Sequence, residues 1–212
     1  MNDGVIRVQG RGELGADPDL VVLEFQARGD APAYAEAVAR ASQIVERLRG
    51  VFGAEGVPRE GLKTTRFQVD PDHEWTDDRA RQVFRGYVAT HALRVELPRT
   101  ADAGRVLDAV AREAPGAEVR VSFEIRDRDG FRQRLLAEAV GAALRNAETI
   151  ARAGGVRLGA IVSIEYGPSE VRFASPVTFH AESRLAAAPT SFEPSEVRGT
   201  EVVTVSWAIA RE

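Results

Sequence analysis

Tyr34, Val38, Ala41, Val45, Leu48 and Phe52 follow one another at spacings of 4, 3, 4, 3 and 4. On a helix of ~3.6 residues per turn these six side chains share one stripe. Burying each large one stabilises by about 1.5–3 kcal/mol, so this helix must lie on something apolar. The segment before it supplies such a surface. Leu20 to Arg28 (LVVLEFQAR) is β-branched and apolar, with Leu23, Phe25 and Ala27 on one strand face. Asp30 stands where a cap would, Pro32 where the first helical residue would, and Gly53 where the helix should close. The stripe is shorter than three heptads, so a sheet of the same chain is the expected partner rather than a coiled coil.

The same alternation of periods continues along the chain. Val5 to Val8 reads as a short first strand, with Gly10 to Asp19 as a turn region. Leu62 to Asp70 is a third strand, Pro71 to Arg81 a polar hairpin tip, and Val83 to Leu97 a long fourth strand. On that strand Tyr87, Ala89, His91, Leu93, Val95 and Leu97 share one face, with Arg94 and Glu96 on the other. Thr100 to Ala114 predicts a second, shorter helix with Val106, Leu107 and Val110 inward. Glu118 to Ile125 is a fifth strand. A third helix from about Asp129 carries Phe131, Leu135, Ala139, Ala143, Ala147 and Ile150 on one stripe. Leu158 to Tyr166 and Gly199 to Ala210 are the remaining strands. Hairpins mixed with helices predict an α+β fold of mainly antiparallel sheets, packed by two long amphipathic helices and one shorter one. A degenerate internal repeat relates 20–69 to 118–166, and Ala-Glu-Ala-Val recurs at 35–38 and 137–140. The chain reads as a single domain over 1–212, with a first lobe over about 1–98 and a second over about 99–212.

Composition excludes several functions. The chain has 28 Lys+Arg, 32 Asp+Glu and a net charge of -4, which gives nucleic acid or an anionic membrane no field to follow. All its basic residues but Lys63 are arginines, interleaved with Asp and Glu as in Arg126-Asp127-Arg128-Asp129. With no Cys, thiol catalysis, disulfides and CxxC zinc sites are absent. No stretch approaches the ~18 apolar residues of a membrane span, so no membrane insertion is expected. Met1-Asn2-Asp3-Gly4 has neither a basic start nor an apolar run. The chain therefore reads as cytoplasmic if it is full length, and as periplasmic or exported if a signal peptide has been removed.

No motif assigns a catalytic, cofactor or metal residue. Gly10-Arg11-Gly12-Glu13-Leu14-Gly15 matches GxGxxG, but a strand rather than a helix follows Asp17-Pro18. No helix N-terminus would receive a pyrophosphate, and these glycines are expected in turns. The acidic run Asp70 to Asp78, with His73, lacks the order of a calcium loop and the ligand set of a zinc site. A solvated hairpin end is the simpler reading, with a metal-binding hairpin as its rival. His91 sits on an apolar strand face, and the serines Ser163, Ser175 and Ser206 have no His and Asp pattern beside them.

Residues 167–194 lack clear periodicity, yet Val171, Phe173, Val177 and Phe179 recur at even spacings. In water these would form an apolar patch. Three readings stay open: an irregular strand on its own domain, a contact with a partner chain, or a disordered loop.

Several strings together resemble the SIMPL-domain family, a mostly bacterial group of poorly defined function. They are Val8-Gln9-Gly10-Arg11-Gly12-Glu13, Pro18-Asp19, Leu62-Lys63-Thr64-Thr65, Gly86-Tyr87-Val88-Ala89 and Leu93-Arg94-Val95. Phe123, the helix ending in Gly154-Gly155-Val156, and Val203-Thr204-Val205-Ser206-Trp207 complete the set, so the resemblance covers nearly the whole chain. It implies a dodecin-like strand–helix–strand–strand element, homo-oligomers, some of them large rings, and a loose link to the envelope or oxidative stress. An animal relative in the family is a kinase-associated adaptor. The resemblance implies no catalytic residue and no cofactor. The expected function is thus a non-enzymatic, self-associating scaffold or binding module, with a protein partner and with Val171, Phe173, Val177 and Phe179 as the oligomer contact. The alternative is a small-molecule binder or hydrolase with a cleft between the half-repeats near Tyr87 and His91, Arg94 lying close by on the opposite strand face.

Overall fold

The computed structural model describes residues 4–75, 81–98, 100–167, 174–178, 192 and 194–210. In chain order its elements are β1 (Val5–Ala16), β2 (Leu20–Ala31), α1 (Tyr34–Ala54), a 3-10 turn (Arg59–Gly61), β3 (Lys63–Trp75) and β4 (Gln82–Leu97). They continue with α2 (Thr100–Glu113), β5 (Ala117–Glu124), α3 (Arg128–Ala153), β6 (Arg157–Tyr166), β7 (Ala174–Thr178) and β8 (Val197–Ala210). The fold is α+β, and every strand pair with a described register is antiparallel.

The chain forms two compact units. One comprises Met1–Pro18, Ile125–Ala174 and Ser195–Glu212, the other Asp19–Glu124 and Ser175–Pro194. In the first unit β1, β8 and β6 form a three-stranded sheet in that order. β1 and β8 pair without a break from Val5↔Ala208 to Ala16↔Val197. The alanine stripe of α3 packs on this sheet with Ile6, Val203, Val205 and Trp207. Asp127 caps α3 by accepting a hydrogen bond from the Gly130 amide at 2.9 Å, a contact that satisfies one of the helix's free amides.

The second unit holds a five-stranded sheet in the order β3-β4-β2-β5-β7. Its core joins Val21, Leu23 and Phe25 of β2 to Val45, Leu48 and Phe52 of α1 and to Val106, Leu107 and Val110 of α2. Phe25 meets Phe52 edge to face, with ring centroids 5.5 Å apart.

Five local expectations are corrected. The turn region foreseen at Gly10 to Asp19 is strand as far as Ala16, because Gly10 and Gly12 serve a helix contact and not a bend. A Cβ on Gly10 would fall on the Ala139 carbonyl oxygen, and one on Gly12 would stand 2.7 Å from the Ala139 amide nitrogen. Neither Asp30 nor Pro32 starts α1. β2 runs on to Ala31, where Ala31 pairs with Tyr87, and the helix begins after Ala33. The polar tip expected from Pro71 is still paired strand out to Trp75↔Gln82, since the backbone ladder tolerates an edge proline. α1 extends one residue past Gly53, which has open space around it. Lastly, two stripe members lie at the margins: Tyr34 is 53% exposed, and Ile150 is 48% exposed while Ala151 takes the buried position beside it.

Candidate functional site

β4 presents the residues that sequence reasoning singled out. His91 and Tyr87 both point toward the α1 side of the sheet, four residues apart along the strand. That separation is about 13 Å, and their surroundings differ. Tyr87 packs edge to face on Tyr34 of α1 and on Phe84, with centroids at 5.6 and 5.2 Å. Phe84 in turn meets His73 at 5.6 Å, so four rings step from the start of α1 onto the β3–β4 hairpin. His91 instead meets Phe67 of β3 at 5.3 Å and shares a 2.9 Å hydrogen bond between its Nε2 and the Thr64 hydroxyl. Its Nδ1 is buried with no hydrogen-bond partner. Burial, followed by the positive field of Arg49, holds the imidazole pKa below its ordinary value.

A neutral imidazole beside a threonine hydroxyl resembles part of a nucleophilic pair. Such a pair needs a third group to orient the base, and no carboxylate bonds His91 among the described residues. Arg94 points to the opposite face, where it lies 3.6 Å from Glu24, 3.2 Å from Glu96 and 3.4 Å from Glu124. The structure thus places Tyr87, His91 and Arg94 in three separate environments.

Two shallow depressions mark the described surface. One, of about 220 Å³, is lined by Asp30, Pro32, Asp72, Arg85 and Tyr87. The other, of about 300 Å³, is lined by Arg11, Glu13, Glu196 and Arg198. Neither exceeds the low end of ordinary ligand cavities, about 300–1,000 Å³, and His91 lines neither. Among the described residues no group of three or more His, Asp or Glu is arranged to hold a metal ion. In the acidic hairpin Asp70 accepts from Gln68 at 2.9 Å, and Glu74 pairs with Arg85.

The foreseen oligomer contact lies mostly outside the described residues. Val171, Phe173 and Phe179 lie outside the described residues, and Val177 lies within β7, which joins the five-stranded sheet beside β5. What sequence reasoning missed is a concentration of exposed apolar side chains on other strands. Phe67, Trp75, Val83 and Phe84 are exposed on the β3–β4 hairpin. Ile161, Val162, Ile164 and Tyr166 are exposed on β6, at 54, 60, 54 and 45%. Their run of apolar residues was visible, but a buried strand and a bare one share that pattern.

The family model for SIMPL, a protein of unknown function also termed DUF541, matches residues 6–207. The chain belongs to the SIMPL family. An uncharacterized protein YggE of Edwardsiella ictaluri is 26% identical over 200 residues, which is 93% of this SIMPL chain and 80% of that protein. A 26 kDa periplasmic immunogenic protein of Brucella melitensis is 24% identical over 162 residues, 75% of this chain and 65% of that one. YggE of Escherichia coli K12, also uncharacterized, is 20% identical over 206 residues, 96% and 82% of the two chains. The α+β architecture expected from the SIMPL resemblance is the one observed. No helix among the described residues is long and apolar enough to cross a membrane.

Proposed function

We propose that this SIMPL protein is a non-enzymatic module that self-associates and acts as a scaffold or binding unit in the cell envelope, folded as one domain over its whole length. The observation that carries the reading is the exposure of large apolar side chains in rows: Phe67, Trp75 and Phe84 on one hairpin, and Ile161, Val162 and Ile164 on one strand. Apolar patches of this kind mark association surfaces. The envelope setting is supported by a relative whose printed name is periplasmic. Val171, Phe173, Val177 and Phe179 supply one contact between copies, by their alternation in the sequence.

Light scattering of the purified protein at micromolar concentration tests the reading, with a mass well above 23.0 kDa expected. The double substitution Phe173→Asp with Phe179→Asp lowers that mass without loss of helical signal. A double variant that stays fully assembled removes the segment from the contact, and wild-type protein at 23.0 kDa throughout removes the whole reading.

A further inference from the structure

Three buried side-chain atoms among the described residues have no hydrogen-bond partner: Arg49 Nε, Glu55 Oε2 and His91 Nδ1. Most buried polar atoms are bonded, so each exception asks for a cause. Glu55 has one, because the same Oε2 lies 2.8 Å from the Arg105 guanidinium. The other two remain. They come from elements that pack together, Arg49 from α1 and His91 from β4. The positive field of Arg49 reaches the imidazole.

The charges around this pair do not cancel. On α1, Arg49 donates to Glu46 at 2.5 Å. Arg59 of the 3-10 turn lies 3.9 Å from the same Glu46 oxygen. Two guanidinium groups thus share one carboxylate, and one positive charge is left over on the His91 side of α1. β3 adds Thr64, bonded to Nε2 at 2.9 Å, and the Phe67 ring. Its Lys63 and Arg66 pair with Arg94 and Ala92, on the other sheet face. β2 sets Ala27 opposite His91. Glu46 is the single carboxylate among these groups.

We propose that Arg49 Nε and His91 Nδ1 are the two donors of an internal site for a small monovalent anion of the chloride type, filled when the imidazole takes up a proton. Protonated His91 donates from both ring nitrogens, from Nε2 to Thr64 and from Nδ1 to the anion. Arg49 Nε–H can only donate. A halide accepts from both and brings no hydrogen of its own, whereas a water would bring two that need acceptors. Proton and anion enter together, so the interior gains no net charge and avoids the cost of burying one charge alone. The site stands apart from the exposed apolar rows and holds whether or not copies associate.

Linkage supplies the test, because an anion that prefers the protonated ring raises that ring's proton affinity by the same factor. An NMR titration of the full chain follows the His91 ring signals in sodium chloride and in sodium gluconate at equal ionic strength. The exposed His73 serves as the internal control. The His91 midpoint should stand higher in chloride by about one pH unit, a roughly tenfold gain in proton affinity. Arg49→Gln and Arg49→Lys both lack the buried Nε–H, and only the second keeps the positive charge. Both should lose the difference between the salts, with circular dichroism confirming that each is folded. A wild-type midpoint that is the same in both salts overturns the site, whatever the state of assembly, and that comparison decides alone if a variant fails to fold. A difference that survives in folded Arg49→Lys overturns it too, since charge without the buried donor would then suffice.

Discussion

A Cβ on Gly10 would occupy the position of the Ala139 carbonyl oxygen, so strand β1 and helix α3 touch backbone to backbone. The second unit repeats the device: a Cβ on Gly29 of β2 would fall on the Ala37 carbonyl oxygen of α1. Ala37 and Ala139 are each the third residue of an Ala-Glu-Ala-Val string. The next alanine one turn on, Ala41 or Ala143, closes on the same glycine. The repeated string thus marks, in both halves, the place where a helix settles on a strand that offers no side chain.

Substitution at this contact has a definite sign. Gly10→Ala forces the α3 backbone away from the sheet and should destabilise by about 1–3 kcal/mol, the usual effect of overfilling a packed interior. Gly50→Ala, in α1 with open space around it, should instead stabilise by about 0.5–1 kcal/mol through helix propensity. Urea unfolding of the two variants beside the wild type checks both signs.

Phe52 is the end of the stripe that most constrains the sequence, and it is 1% exposed against Phe25. Phe52→Ala should cost about 3–5 kcal/mol, from lost transfer energy and the cavity left behind. Tyr34→Ala, at the exposed start of the same stripe, should cost far less in the same denaturation experiment.

His91 makes stability depend on pH in one direction. Its folded pKa lies below the ordinary 6.5, mainly because burial disfavours the charged ring. Between that lowered value and 6.5 the unfolded chain binds more protons, so stability rises with pH across this window. The contribution is complete above about pH 6.5 and is lost as pH falls toward the folded value. His91→Gln should flatten this part of the profile, and the His91 ring signals in an NMR titration should show a midpoint below 6.5.

Glu201 is fully buried on β8, with Tyr166 donating to it at 3.3 Å and Arg132 3.8 Å away. Tyr166→Phe removes one hydrogen bond and should cost about 0.5–1.5 kcal/mol. Glu201→Ala withdraws the acceptor that these groups share and should cost more. Thermal unfolding at fixed pH ranks the two.

The helices and most strands were legible because their periods differ, and Val45, Leu48, Leu135 and Ala139 fell on the buried faces their spacing demanded. Element ends were less so. Gly10 and Gly12 look like turn residues in a sequence, and only the arrival of α3 from more than a hundred residues away gives them another purpose. The pairing of β1 with β8 joins the two ends of the chain, and nothing local announces it. The bare edge of β6 was hidden for a related reason: Ile161, Val162 and Ile164 read as core until the strand order places them at the margin.

Whether copies of this chain join is decided most directly by sedimentation equilibrium of the wild-type protein across the micromolar range. The account predicts a mass that climbs with concentration to a whole multiple of 23.0 kDa. A mass fixed at 23.0 kDa at every concentration contradicts it.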